Sequence, residues 1–223
     1  MVVGLAAERL GGAGLGLLGG SMEAPGDLQD EVRRMPGAYQ RSTEGIRALV
    51  RLRDAAGKAC PMIHVTTVIQ KDNLAALPLL PRAMKDIGAN TLNLVTETRM
   101  HDLPDLGECD PARYKKSEVP FPRIERAALA QALDDTVAAA RDAGIELRMP
   151  RMPREFLLDY YDGTFKLGAC ECRNAWNTFI IGRSGDAYPC WIWKAGNVRE
   201  HSIRELWNNA EMRRFRRECQ RHL

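Results

Sequence analysis

Four of the six cysteines in this 223-residue chain, Cys170, Cys172, Cys190 and Cys219, fall in its last quarter, while Cys60 and Cys109 stand alone upstream. Six are too few to scaffold a chain of this size through disulfides. Their clustering in an otherwise cytoplasmic-looking sequence points instead to metal ligation. Cys172 and Cys190 bracket CRNAWNTFIIGRSGDAYPC, with twelve residues between Cys172 and Gly185 and four between Gly185 and Cys190. The pattern predicts a hairpin: a strand over 177–181, a turn over 183–186, and a return through Ala187 and Tyr188. Such a hairpin brings two distant thiolates to one end, where they can share a metal centre. Iron–sulfur clusters and zinc both accept thiolates. A zinc site would use Cys172, Cys190, Cys219 and His222 in a C…C…C-x-x-H arrangement. Cys170 is a spare or alternative ligand, and the bland alternative for all of them is burial as small apolar residues.

The same segment resembles the SPASM and twitch domains, auxiliary-cluster domains appended to radical SAM enzymes. The resemblance rests on C-x(9–15)-G-x(4)-C, on Trp176 four residues after Cys172, and on a G-N-[LV]-R-E…W-N block. Here that block reads Gly196-Asn197-Val198-Arg199-Glu200 and then Ser202-Ile203-Arg204-Glu205-Leu206-Trp207-Asn208. Ser202 and Glu205 have capping-box spacing and start a helix expected to run to about Arg217. The resemblance implies a [4Fe–4S] auxiliary cluster held by Cys172 and Cys190, with Cys170 and Cys219 as further candidate ligands. In the family the remaining ligands sit near a C-x-x-C after the terminal helix. Cys219 falls inside the helical pattern, among Arg213, Arg214, Arg216 and Arg217, which puts those ligands beyond Leu223; otherwise Cys219 and His222 complete the site.

Upstream, Ser21-Met22-Glu23-Ala24-Pro25, then Asp30, Val32, Arg33 and Pro36-Gly37-Ala38-Tyr39, resembles the radical SAM stretch S-x-D-G-P…hD-x-[IV]-R-G-x-P-G-[AST]-[FY]. The resemblance implies the end of a barrel strand and the loop into the next helix, where barrel enzymes present cofactor-facing residues. It places Ser21 near the methionine carboxylate or ribose of S-adenosylmethionine, with Arg33 as an anion partner. Glu23-Ala24 departs from the usual Asp-Gly and puts a longer acid and a Cβ into a tight turn. Thr66, Thr67, Asn73 and Glu97 are expected at or beyond strand ends, and His64 is expected as a core histidine. The C-x(3)-C-x(2)-C loop that radical SAM chemistry requires occurs nowhere in this sequence. The first half of the barrel is therefore expected to be missing, and this chain alone is not expected to be a competent catalyst.

The elements that would position these residues alternate in type. A glycine-rich strand is expected over 15–21, a helix over 38–56, a strand buried on both faces over 62–69, a helix over 79–87 and a strand over 91–96. A long Pro-, Asp- and Lys-rich loop follows, then an amphipathic helix over 124–143 closed by Gly144, and a short strand over 145–149. Strand–helix alternation of this kind predicts a parallel sheet with helices outside. MPRMPREF then reads as a linker, so the domains are expected to be 1–150, a partial radical SAM (β/α) barrel, and 151–223, a small SPASM/twitch domain with a β-hairpin and a C-terminal helix. The class is α/β. Gly14, Gly16 and Gly19 have G-x-G-x-x-G spacing, but a strand should precede them and a helix should open after them, and neither is expected.

Apolar residues make up 45% and charged residues 27%, an ordinary globular balance. A net charge of +3 gives no reason to invoke nucleic acid, and the Arg-rich final helix reads as a solvated face. The apolar, glycine-rich start lacks a basic stretch before it and carries Glu8 and Arg9, so it does not read as an export signal. No apolar run reaches membrane-spanning length, and the chain is expected to be cytoplasmic. The family resemblance implies a peptide or small-molecule substrate and an electron donor such as a flavodoxin or ferredoxin. The alternative is a non-catalytic module that keeps a zinc or iron–sulfur site for stability.

Overall fold

Parallel strands cannot be joined by tight turns, so each must be followed by a crossover long enough to hold a helix. The computed structural model describes residues 14–97, 123–164, 173–190 and 193–222. Its first compact unit, described through Thr164, is built from four such strands. In chain order they are β1 (Leu17–Ser21), α1 (Asp27–Arg33), α2 (Ala38–Ala55), β2 (Met62–Ile69), a 3-10 segment (Leu74–Leu79), α3 (Leu80–Asp86), β3 (Thr91–Thr96), α4 (Arg126–Ala143), β4 (Glu146–Arg148) and α5 (Arg154–Asp162). The strands pair in parallel in the order β1-β2-β3-β4. Sequential order with crossovers of one hand stacks every helix on one face. The fold is α/β, a partial (β/α) barrel.

One-sided coverage explains the burial. In β2 the buried residues Ile63, Val65, Thr67 and Ile69 alternate with the more accessible Met62, His64, Thr66 and Val68. The expectation of a strand buried on both faces is corrected: among the described residues, helices cover only one. Ile63, Val65, Ile69, Leu92 and Leu94 pack there against Leu77, Leu80, Met84, Leu129 and Leu133. His64 is likewise not in the core. It lies in register with Thr91 and, through it, with Glu146 on the other face. Thr91 Oγ1 donates to Glu146 Oε2 at 2.8 Å, and Arg148 pairs with the same carboxylate at 2.8 Å. Gly16 precedes β1 and Gly19 lies within it, so no helix opens at the glycine motif and the dinucleotide reading is excluded.

The linker reading of MPRMPREF holds only as far as Pro153. That proline stands at the N-cap of α5, a position compatible with its missing N–H. Leu157, Leu158 and Tyr161 then join the core of the first unit, so the described part of that unit closes at Thr164 rather than near 150. Tyr161 is fully buried. Its hydroxyl donates to Ile69 O at 2.7 Å and accepts from Glu97 N at 2.9 Å, tying the ends of β2 and β3 together. Tyr160 donates to Glu97 O at 2.7 Å. Burial pushes both phenols up, Tyr160 to about 12, so both stay protonated. Arg126 at the start of α4 pairs with Asp159 at 2.6 Å and Asp162 at 3.2 Å, and also with Glu155, fastening α5 along its length.

The second unit, described from Arg173, contains α6 (Asn174–Asn177), β5 (Ile180–Ile181), β6 (Asp186–Tyr188), β7 (Gly196–Asn197), α7 (Ile203–Trp207) and α8 (Ala210–His222). β5, β6 and β7 form an antiparallel sheet in that order. The hairpin is the expected one, shortened because α6 takes the residues before Phe179. Gly185 has φ +90°, and a Cβ there would stand 2.8 Å from Asn197 Oδ1. Gly196 has φ +146°, and its Cβ would stand 2.6 Å from Leu206 Cδ2. These two contacts explain the glycines of both motif blocks. The capping box forms, with Glu205 N donating to Ser202 Oγ and Ser202 N to Glu205 Oε2. The helix expected to run on to Arg217 is instead two helices. Asn209 interrupts it, accepting from Met212 N at 2.9 Å as the cap of α8 while donating to Ala195 O at 2.6 Å. Among the described residues no helix is long and apolar enough to cross a membrane.

Two outcomes follow for stability. Tyr161→Phe deprives the buried Ile69 carbonyl of its donor and is expected to cost about 1–3 kcal/mol in urea denaturation with m unchanged; an unshifted midpoint would show the hydroxyl to be dispensable. Asp186 accepts from Lys194, Ser184 and Asn197, which hold its carboxyl down to about 2. Its folded value lies below the ordinary carboxylate value of about 4, so its contribution is complete above that value and is lost as pH falls through about 2. Near-UV dichroism of the tryptophans should therefore show acid loosening that is weaker in Asp186→Asn, and equal acid profiles would remove Asp186 as the cause.

Candidate metal centre

Cys190 ends the hairpin and Cys219 lies late in α8, yet they meet the same apolar cluster. Ala175, Trp193, Phe215 and Cys219 are its buried members, and Cys190, half-buried, packs against them. Three local features bring this about. Trp193 N donates to Cys190 O at 3.0 Å, and the two residues form an antiparallel bridge. The ring of Trp193 stacks at a tilt on Phe215, centroids 5.4 Å apart. Phe215 and Cys219, four residues apart on α8, share one helix face. Helical periodicity thus turns Cys219 inward while the surrounding arginines stay accessible. Its place inside a helix therefore does not keep Cys219 out of the cluster against which Cys190 packs.

Among the described residues no group of three or more His, Cys, Asp or Glu side chains forms a metal-binding constellation. Cys170, Cys172 and Cys109 lie outside the described residues, as does the side chain of His222. Cys60 is exposed in the first unit, just before β2. Trp176, the tryptophan of the motif, is 39% exposed, whereas Trp193 is 6% exposed. The indole Nε1 of Trp193 is buried without a hydrogen-bond partner. A buried donor left unpaired costs about 1–3 kcal/mol. Thiols and an unsatisfied N–H donor inside an aromatic shell suit a sulfur-rich cluster, whose thiolates bind iron and whose sulfurs accept hydrogen bonds. Trp193 escaped the sequence reading; its position three residues after Cys190, in PCWIW, was the available signal.

In the first unit, Ser21 stands exposed at the C-terminal end of β1, in register with Thr66 on the face without helices. The loop beyond it is held from beneath. Thr67 Oγ1 donates to Met22 O at 2.6 Å, and Asn73 Nδ2 donates to Glu23 O and Val68 O, both at 2.9 Å. Gln29 Oε1 accepts from Glu23 N at 2.7 Å and Ala24 N at 3.3 Å. Thr67 and Asn73 therefore support the loop rather than face outward. Asp30 accepts from Tyr39 N at 2.8 Å and from Gly37 N, so it satisfies the start of α2, which has no cap side chain of its own. Those donors hold its carboxyl below the usual range.

The Glu-Ala departure is accommodated. Gly26, not Ala24, takes the positive φ of +69°, and Ala24 is fully buried. The added length of Glu23 carries its Oε1 to Arg33, 2.6 Å away. Burial raises the Glu23 carboxyl while Arg33 opposes that rise, and Oε2 has no partner. Arg33, whose side chain is 40% exposed, thus already has a carboxylate partner within the chain.

Residues 170–223 match the SPASM family, described as an iron–sulfur cluster-binding domain. An AdoMet-dependent heme synthase from Methanosarcina barkeri is 27% identical over 219 residues, an alignment covering 92% of this chain and 57% of that protein. The fold is similar to that in the crystal structure of Streptococcus suis SuiB, with a TM-score of 0.57 and 11% identity, covering 88% of this chain and 44% of SuiB. The chain thus spans about half the length of the proteins it matches. The hairpin with its two required glycines lies within the segment that matches the SPASM iron–sulfur family, and the chain as a whole, on its parallel α/β frame, is similar to an AdoMet-dependent heme synthase.

Proposed function

We propose that this chain supplies the later barrel strands and an auxiliary [4Fe–4S] domain of a radical SAM enzyme, whose full form generates a 5′-deoxyadenosyl radical to modify a peptide or small metabolite. The observation that carries the reading is the meeting of Cys190 and Cys219 in one aromatic cluster, within the segment that matches an iron–sulfur domain. Cys190 and Cys219 ligate the auxiliary cluster, with Cys172 and Cys170 as the further thiolates. When bound, such a cluster supplies one-electron transfer or holds substrate in place. Trp193 and Phe215 keep water from the ligating sulfurs.

In the first unit Ser21 meets the methionine or ribose part of S-adenosylmethionine from the end of β1. Arg33, held by Glu23, presents its remaining N–H groups to the methionine carboxylate. The C-x(3)-C-x(2)-C loop would have to come from residues outside this sequence, and the electron from a flavodoxin- or ferredoxin-type donor. The kinship with an AdoMet-dependent heme synthase supports the cofactor and leaves the substrate class at a peptide or small metabolite.

Anaerobic reconstitution with iron and sulfide tests the cluster directly. The chain is expected to take up both, with visible charge-transfer absorption, and Cys190→Ser and Cys219→Ser are each expected to retain iron at least about tenfold more weakly. Uptake of zinc but not iron, with the fold collapsing on chelation, would overturn the redox reading in favour of a structural metal module.

A further inference from the structure

Trp193 carries the clearest unmet chemical demand in the second unit. Its indole is 6% exposed and its Nε1 has no partner, although indole N–H groups ordinarily find an acceptor when buried. The ring cannot readily turn away to find one. Its backbone is pinned to Cys190 through the 3.0 Å hydrogen bond and the bridge, one contact is with Phe215, and the Arg214 guanidinium lies over the ring 5.2 Å from its centroid. Among the described apolar side chains of its cluster, Ala175, Phe215, Cys190 and Cys219, the two cysteines bear an acceptor atom. A thiol sulfur is a weak acceptor, and a metal-bound thiolate or sulfide is a much better one.

We propose that Trp193 Nε1–H donates a hydrogen bond to a sulfur of the auxiliary cluster, a ligating thiolate or a bridging sulfide, and so raises the cluster's reduction potential; this rests on the cluster proposed above. Reduction adds negative charge to the sulfurs, so an N–H···S bond strengthens on reduction and favours the reduced state. Trp193 acts through the cluster and is a positioning and tuning residue. Arg214, over the same ring, fixes the indole plane on which the geometry depends.

The test uses the full chain reconstituted anaerobically with iron and sulfide, in the wild type and in Trp193→Phe, which keeps an aromatic ring against Phe215 but removes the N–H. The variant is expected to hold wild-type iron and to show, in an EPR-monitored redox titration, a reduction equilibrium about tenfold less favourable, a potential about 59 mV lower for one electron. In protein labelled with indole-15N tryptophan, the reduced wild-type cluster is expected to show a weak 15N coupling that Trp193→Phe abolishes. Equal potentials in two iron-loaded proteins would overturn this proposal and leave the cluster standing. Should the variant fail to load, the labelled wild type decides, and no 15N coupling there overturns the hydrogen bond. A wild type that takes up no iron overturns the cluster and this inference together.

Discussion

A parallel sheet presents its working surface at the C-terminal ends of its strands, where the ladder stops and backbone groups lose their partners. In the first unit the buried Tyr161 hydroxyl meets that constraint, accepting from Glu97 N beyond β3 and donating to Ile69 O at the end of β2. Thr67 and Asn73 do the same for the loop beyond β1. Inside a low-dielectric core each such bond is strong and each omission costly. The positions of Ser21, Glu23 and Arg33 are consequences of this buried polar layer. It comes from separate parts of the sequence: Thr67 and Asn73 hold the loop after β1, and Tyr161 of α5, from far downstream, holds the ends of β2 and β3. Arg126, by gripping three acids of α5, contributes to that docking from the outer surface.

The second unit works with much less apolar material. Among its described residues the cluster around Trp193 and Phe215 is small, with Tyr188, Leu206 and Met212 buried elsewhere. Domains this small ordinarily need a disulfide or a metal to supplement the core. Close backbone packing does part of the work: Gly185 and Gly196 let the hairpin meet Asn197 and Leu206, and Asp186 gathers Lys194, Ser184 and Asn197 around one carboxylate. A metal centre held by Cys190 and Cys219 would reinforce the contact that Trp193 and Phe215 already make between the hairpin end and α8. Ligand binding and folding would then be one event.

The two units differ in how much of them could be read in advance. The strand–helix alternation, the hairpin glycine and the Ser202–Glu205 cap were legible because each is a local rule: periodicity, φ preference, a side chain reaching three residues. The helix after Pro153 was obscured because prolines dominate that stretch, yet Pro153 sits where a helix tolerates it and Leu157, Leu158 and Tyr161 supply the buried side. The single long helix failed at Asn209 because its capping bond to Met212 N is coupled to a distant carbonyl, Ala195 O.

By itself, the sequence determined the α/β frame, the segment that matches an iron–sulfur domain, and glycines where a backbone must turn or approach closely. Tertiary structure alone decided which residues pack together. Cys219 joins the apolar cluster that Cys190 packs against because Asn209 caps α8 and the helix phase places Phe215 and Cys219 on the side of Trp193, and periodicity cannot say which partner a helix face will meet. Glu23 takes Arg33 because burial of the loop leaves its carboxylate no solvent and one cation within reach. His64 leaves the core because the helices cover the other face of the sheet. In each case the deciding quantity is proximity that no local periodicity or spacing rule fixes, and only the packed chain supplies it.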